Sequence, residues 1–207
     1  MDDYPAIAAR VDKFERVIVE SYPALVAPRC LQFRDRLTTK LEVAMGLETV
    51  HPEILDRLNK RMTLDQYASA AAFLKANEVD LRVFVLLQPP FMKPEEAVYW
   101  AQRSLDFAFD CGATATTLIP TRGGNGAMQN LARLGVFSPP SLEDLGKAVQ
   151  YGIELGRGRV FADLWDLRNA GSGCVACYPS RIARLHAMNL EQRVLEPIAC
   201  ASCEGHS

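Results

Sequence analysis

The sequence predicts an α/β fold in which the strands of one parallel sheet alternate with helices. Short, β-branched apolar runs recur along the chain, and segments with helix-start residues separate them. The runs are too continuously apolar for half-exposed antiparallel strands and suit burial on both faces. Alternation at this pitch calls for right-handed crossovers onto a single sheet.

Each element follows in order. A helical start leads into the first strand, RVIVE (Arg16–Glu20). The second strand is LEVAMGLE (Leu41–Glu48), and HPEILDRLNK begins a helix within three residues of it. Thr63 can cap LDQYASAAAFLKANEV, where Leu64, Tyr67, Ala71 and Leu74 keep helical spacing. LRVFVLLQ (Leu81–Gln88) is the third strand, followed by a helix with Pro94 in its first turn and Gly112 past its end. ATTLIPT (Ala115–Thr121) is the fourth, and Ser141 starts the helix LEDLGKAVQYGIELGRG. RVFADLW (Arg159–Trp165) is the fifth. Five strands cannot close an eight-stranded barrel, so the expectation is an open sheet or partial barrel whose first strand needs a cover.

With 207 residues, the chain can bury one sizeable core and a small appendix. The organisation expected is a half-barrel over 1–167 and a cysteine module over 168–207. The chain is 49% apolar and 23% charged, as in ordinary globular proteins, and its net charge of −2 gives no global pull toward nucleic acid. No run is apolar enough to span a bilayer, and the start MDDYPAIAARVDKFERV is not a signal peptide. A cytoplasmic protein without a membrane partner is expected, with its cysteines as thiols or metal ligands.

Ligands bind beyond the carboxyl ends of parallel strands. Those tips hold Glu20 with Ser21, Gly46 to Thr49, Gln88 to Pro90, Pro120 to Asn125, and Asp163 with Asp166. Glu48 offers an acceptor pair for ribose hydroxyls or an ammonium group, or else complements the following helix N-terminus. TRGGNGAM (Thr121–Met128) is either a plain turn or an anion site built from backbone N–H groups with Arg122. His51 is a base, a ligand or a helix-entry residue, and Asp163 and Asp166 are a working pair or ordinary polar ends. Cys30 and Cys111 fall in helical segments as small apolar fillers.

Near the C-terminus, Cys174 and Cys177 form one C-x-x-C and Cys200 and Cys203 another, with 22 residues between the pairs. The helical segment PSRIARLHAMNLEQRV can fold back and bring the pairs together. Four thiolates in tetrahedral array suit structural zinc; redox dithiols, an iron–sulfur cluster and unrelated cysteines are the alternatives. His186 and His206 are possible substitute ligands. Such a metal contributes on the order of 10 kcal/mol to a segment this short. Arg181, Arg184 and Arg193 either touch RNA phosphates or lie solvated on a helix face.

With the block LEVAMGLETVHPEILDRLNKRMTLDQYASAAAFLKANEVDLRVFVLLQPPF, then ATTLIPTRGGNGAM and the late cysteine pairs, the chain resembles radical SAM enzymes. It is most similar to the branch that includes the Elongator catalytic subunit and the archaeosine-pathway radical SAM protein, both tRNA modifiers. The resemblance runs from Phe14 to Cys203. It implies a partial (β/α) barrel of the TIM-like type whose middle strand tips hold S-adenosylmethionine. Gly46, Glu48 and Thr49 would then lie near its ribose or methionyl part, and Gln88, Pro89 and Pro90 on the adenine side. Arg122, Gly123, Gly124 and Asn125 would face cofactor or substrate.

Such enzymes carry a [4Fe–4S] cluster on an early C-x-x-x-C-x-x-C motif, which this sequence lacks. The resemblance therefore implies that the family's first two strands and cluster loop precede Met1, or that a partner chain supplies the cluster. One functional expectation is an incomplete radical SAM enzyme acting on RNA, with tRNA foremost, or on a small molecule. The other is a non-catalytic partial barrel with a zinc clamp that binds a protein or small-molecule partner.

Overall fold

The computed structural model describes residues 3–124, 126–165, 167 and 174–204. Five parallel strands form one sheet in chain order: β1 (Arg16–Glu20), β2 (Lys40–Glu48), β3 (Asp80–Leu87), β4 (Ala115–Pro120) and β5 (Arg159–Ala162). Around them run α1 (Tyr4–Val11), α2 (Pro28–Arg34), α3 (Pro52–Arg57), α4 (Leu64–Ala76) and α5 (Ala97–Asp110). Then come α6 (Gly126–Arg133), α7 (Leu142–Glu154), α8 (Tyr178–Glu191) and α9 (Ala201–Glu204). The α/β class expected from the strand–helix alternation is the observed one.

Helix starts follow the capping residues. The Thr63 hydroxyl accepts from the Gln66 N–H at 3.2 Å while the Gln66 side chain accepts from the Thr63 N–H at 3.0 Å. Ser141 accepts from the Asp144 N–H at 3.0 Å and begins α7. Gly112 follows α5 with φ +91°, a conformation that costs a residue without Cβ little. The segment from Pro94 first makes a 3₁₀ turn (Pro94–Glu96) before α5.

Because strand order follows chain order, right-handed crossovers put the connecting helices on one face. That face carries Leu41, Val43, Met45 and Leu47 of β2, and Leu81, Val83, Val85 and Leu87 of β3, all in the main apolar core. The other face is only partly covered: Phe84, Leu86 and Ile119 are half-buried, and Ile18 is 49% exposed. Burial on both faces was the expectation from the apolar runs. The difference arises because five strands curl without closing, so the inner face lines an open trough.

A buried ion cluster pulls the trough into its curve. Glu42 of β2 is 0% exposed and accepts from Arg16 (β1) at 2.9 Å, Arg82 (β3) at 2.6 Å and Arg159 (β5) at 2.8 Å. In a flat sheet, β2 and β5 would stand about 14 Å apart, three strand spacings. Arg159 closes that gap only because the sheet is concave. Asp80 takes a second bond from Arg16, which raises the Arg16 pKa further above its ordinary value. The cluster sits at the strands' amino ends, forming a charged floor opposite the rim where the loops gather.

Candidate ligand rim and metal centre

The carboxyl ends of β2, β3 and β4 bring Gly46–Thr49, Gln88–Pro90 and Thr121–Gly124 onto one rim. Two of these tips turn through left-handed backbone at residues other than glycine: Glu48 at φ +66° and Gln88 at φ +52°. Such conformations cost about 1–3 kcal/mol each and concentrate at ligand sites. At Glu48 the turn folds the carboxylate back over Gly46. A Cβ on Gly46 would stand 2.6 Å from Glu48 Oε1, so the glycine is what allows this pose.

Lys60 meets Glu48 Oε1 at 2.9 Å, and its carbonyl accepts from the Tyr22 hydroxyl. With Glu20, Ser21 and Phe84, these groups line a cavity of about 330 Å³ above the trough. Its two carboxylates against one ammonium leave it electronegative. Lys60 and Tyr22 complete a site that the strand tips announce through Glu20, Ser21, Gly46 and Glu48. Lys60 stood inside the LNK part of the family-like block, which was the available signal.

Other tip residues are engaged within the protein. Thr49 is buried, and its hydroxyl accepts from the His51 N–H at 3.1 Å. His51 caps α3 through Nδ1 and packs on Trp100, so it serves helix entry. The Gln88 side-chain amide donates to the Ser138 carbonyl and hydroxyl at 2.7 and 2.8 Å, and Pro89 and Pro90 are buried beside it. Arg122 pairs with Asp163 at 2.9 Å, joining the tips of β4 and β5. Arg122 Nε is buried without an acceptor among the described residues. Gly123 and Gly124 are exposed, with open space where a Cβ would stand. Asn125, Asp166 and His206 lie outside the described residues.

The four late cysteines converge. All four sulfurs lie within 4.8 Å of one another, with Cys174–Cys200 and Cys177–Cys203 each at 3.7 Å. A metal–sulfur bond of about 2.3 Å in a tetrahedron gives sulfur–sulfur edges of about 3.8 Å, so the cage fits a single metal ion. A four-iron cluster carries each thiolate on a different iron and needs a wider cage. Cys30 and Cys111, the other two cysteines, sit on α2 and at the end of α5. These residues do not fit the cluster of a radical SAM enzyme.

Local chemistry builds the cage. Cys174 and Cys177 form the turn that opens α8, and backbone N–H groups of Cys177 and Ala176 lower the Cys174 thiol to about 7. The bonds from Cys177 and Cys200 push Cys203 up to about 12. Without a cation the sulfurs oppose one another's ionisation, and a dication removes that opposition. Arg184 ties down the returning chain by donating to the carbonyls of Leu195 at 2.6 Å and Glu196 at 2.8 Å. Arg193 pairs with Glu191 at 2.6 Å. His186 is exposed and outside the cage.

No protein-family model matches the chain. It is 25% identical over 134 residues to an uncharacterised protein of Methanocaldococcus jannaschii, covering 63% of this chain and 37% of that protein. It is 28% identical over 102 residues to the archaeosine synthase subunit beta of Thermococcus kodakarensis, covering 48% of this chain and 32% of the relative. The matched region thus spans about a third of either relative's length. Among solved structures, the Elp3 of Methanocaldococcus infernus overlays with a TM-score of 0.59 at 15% identity, covering 70% of this chain and 34% of that one. That likeness shows the fold. Both named proteins stand in the branch that the sequence resembles, so the radical SAM resemblance is supported by sequence and by fold.

Proposed function

We propose that the chain is the ligand-rim portion of a radical SAM protein, binding S-adenosylmethionine at the tips of β2 and β3 and zinc in the cysteine cage. The observation that carries this reading is the strained tip at Glu48. Its left-handed backbone, supported by Gly46, aims a carboxylate into an electronegative cavity of small-ligand size. An ammonium or a pair of ribose hydroxyls suits that carboxylate, with Lys60 as the cation that a ligand displaces. Thr49 and the Gln88–Pro90 turn hold the tips rigid through their internal bonds. Arg122 Nε, buried and without an acceptor among the described residues, supplies the donor for a cofactor or substrate oxygen, with Gly123 and Gly124 next to it and Asn125 following in the sequence.

Bound S-adenosylmethionine would supply one-electron chemistry, given an electron from a cluster that this chain's cysteines do not fit. The cage spacing supports zinc at Cys174, Cys177, Cys200 and Cys203, as part of a 168–207 clamp set on a 1–167 half-barrel. RNA, with tRNA foremost, is the substrate class favoured by the branch resemblance. A relative that is itself a subunit of archaeosine synthase supports a second chain, with the open edge of β1 as its docking place. No helix among the described residues is long and apolar enough to cross a membrane, and we place the protein in the cytoplasm.

Equilibrium dialysis of the full chain against labelled S-adenosylmethionine tests the rim. Binding is expected, with Glu48→Ala at least about tenfold weaker through loss of a charged hydrogen bond. A wild-type chain that retains no label overturns the S-adenosylmethionine assignment. The cage's misfit to an iron cluster favours a second reading, a non-catalytic clamp. Cofactor cleavage after anaerobic reconstitution with iron and sulfide would exclude it.

A further inference from the structure

We propose that Arg181 is a positioning residue of the metal centre, holding the Cys177 sulfur and tying metal binding to the seating of the clamp on α7. The inference rests on reading the cage as a zinc site. Cys177 is its buried member, only 5% exposed, and Arg181 Nε donates to its sulfur at 3.2 Å. Arg181 stands four residues further along, on the same side of α8, so the helix itself sets this approach. Four thiolates around a dication carry a net charge of −2, and burying such charge is costly without a partner. Arg181 brings a full positive charge to the least solvated sulfur. The amino end of α8 adds the partial charge of its dipole.

The other end of the guanidinium faces α7. Arg181 Nη2 lies 4.0 Å from Glu143, which pairs with Lys147 at 2.8 Å. A continuous row therefore runs from the metal-binding sulfur through Arg181 and Glu143 onto α7. The cleft beside it, about 360 Å³, is lined by these residues together with Cys200 and Cys203. The neighbouring arginines have other tasks, Arg184 on carbonyl oxygens and Arg193 on Glu191. Lysine lacks the Nε–H and the planar fork, so it would restore charge but not the bond to sulfur.

Zinc retention by the full chain tests the proposal, read by competition with a chromophoric chelator. Arg181→Gln is expected to bind zinc about 10- to 100-fold more weakly, the usual effect of losing an outer-shell partner. Arg181→Lys is expected to fall between that variant and the wild type. Glu143→Gln keeps the bond to sulfur, so its zinc affinity stays at or above wild type while the 193–199 return segment becomes easier to proteolyse. Cobalt-loaded protein gives a readout of the sulfur itself, since the thiolate charge-transfer band should shift in Arg181→Gln and not in Glu143→Gln. Equal zinc retention in wild type and Arg181→Gln overturns the role of Arg181. Equal loss in Arg181→Gln and Glu143→Gln also overturns it, because packing alone would then explain both. A wild-type chain that binds no zinc overturns the underlying metal reading instead.

Discussion

The two edges of the sheet are finished in opposite ways. At β5, side chains of α8 and of its C-cap take the place of a sixth strand. Asn189 accepts from the Ala162 N–H at 2.7 Å and donates to the Ala162 carbonyl at 2.8 Å. Gln192 does the same for Val160, at 2.7 and 3.0 Å. At β1, no such cap exists among the described residues. The Ser21 N–H bonds to Ala44, so by alternation Ile18 turns its N–H and carbonyl outward. Ile18 also exposes apolar surface on this strand. One edge is closed by the chain's own amides and the other stays available for pairing, a contrast that natural sheets rarely leave to chance.

The proposed metal cage bears on the closed edge, since Cys177 opens the helix that carries Asn189 and is capped by Gln192. Metal removal is therefore the strongest way to break the contrast. Chelation should withdraw on the order of 10 kcal/mol from the clamp. Amide exchange at Val160 and Ala162 should accelerate sharply, while Val43 and Val83 in the central strands stay protected. Unchanged exchange at Val160 and Ala162 after chelation would show that the cage does not support the edge. Leu185 and Met188 of α8 are buried in the main core, so some residual docking should survive without metal.

A finer break removes the amides and leaves the cage alone. Asn189→Ala or Gln192→Ala strips a buried strand N–H and carbonyl of their partners, which costs about 1–3 kcal/mol per unsatisfied group. Urea melts should register that loss in each variant. The double variant should sum the two within a few tenths of a kcal/mol unless the amides act as one unit. A double variant as stable as wild type would mean that water satisfies this edge, and that its closure is only apparent.

How much of this could be read beforehand depends on the range of each signal. Thr63, Ser141 and Gly112 announce helix ends within three or four residues, and the C-x-x-C pairs announce their cage by spacing. Both are local. Glu42 sits in plain view inside an apolar strand, but its partners are Arg16, Arg82 and Arg159, and no short pattern links them. Asn189 and Gln192 look like any two polar residues near a helix end until β5 is known to lie beside them. Gln88 stands at a tip that the resemblance assigns to the adenine side, and no short pattern announces that its side-chain N–H groups donate to Ser138. The rim's position was legible because parallel topology dictates it. The division of its residues between ligand and scaffold depends on long-range bonds.

The mildest test concerns the open edge. Ile18→Lys places a charge on the concave side of β1, half exposed to solvent and directly across the strand pair from buried Glu42. Stability should move by about 0.2–1 kcal/mol, the range for a changed cross-strand pair. Pairing should respond far more, because a lysine on an edge strand repels an incoming strand at the cost of its own desolvation. If β1 is a docking edge, the wild-type chain should self-associate with concentration in sedimentation experiments, and the variant should stay monomeric at the same loading. Monomeric behaviour of the wild type at every concentration would show that the exposed backbone of β1 is already protected by its short length and flanking charges. The two edges would then differ in how they avoid pairing, and the docking role assigned to β1 would have to be withdrawn.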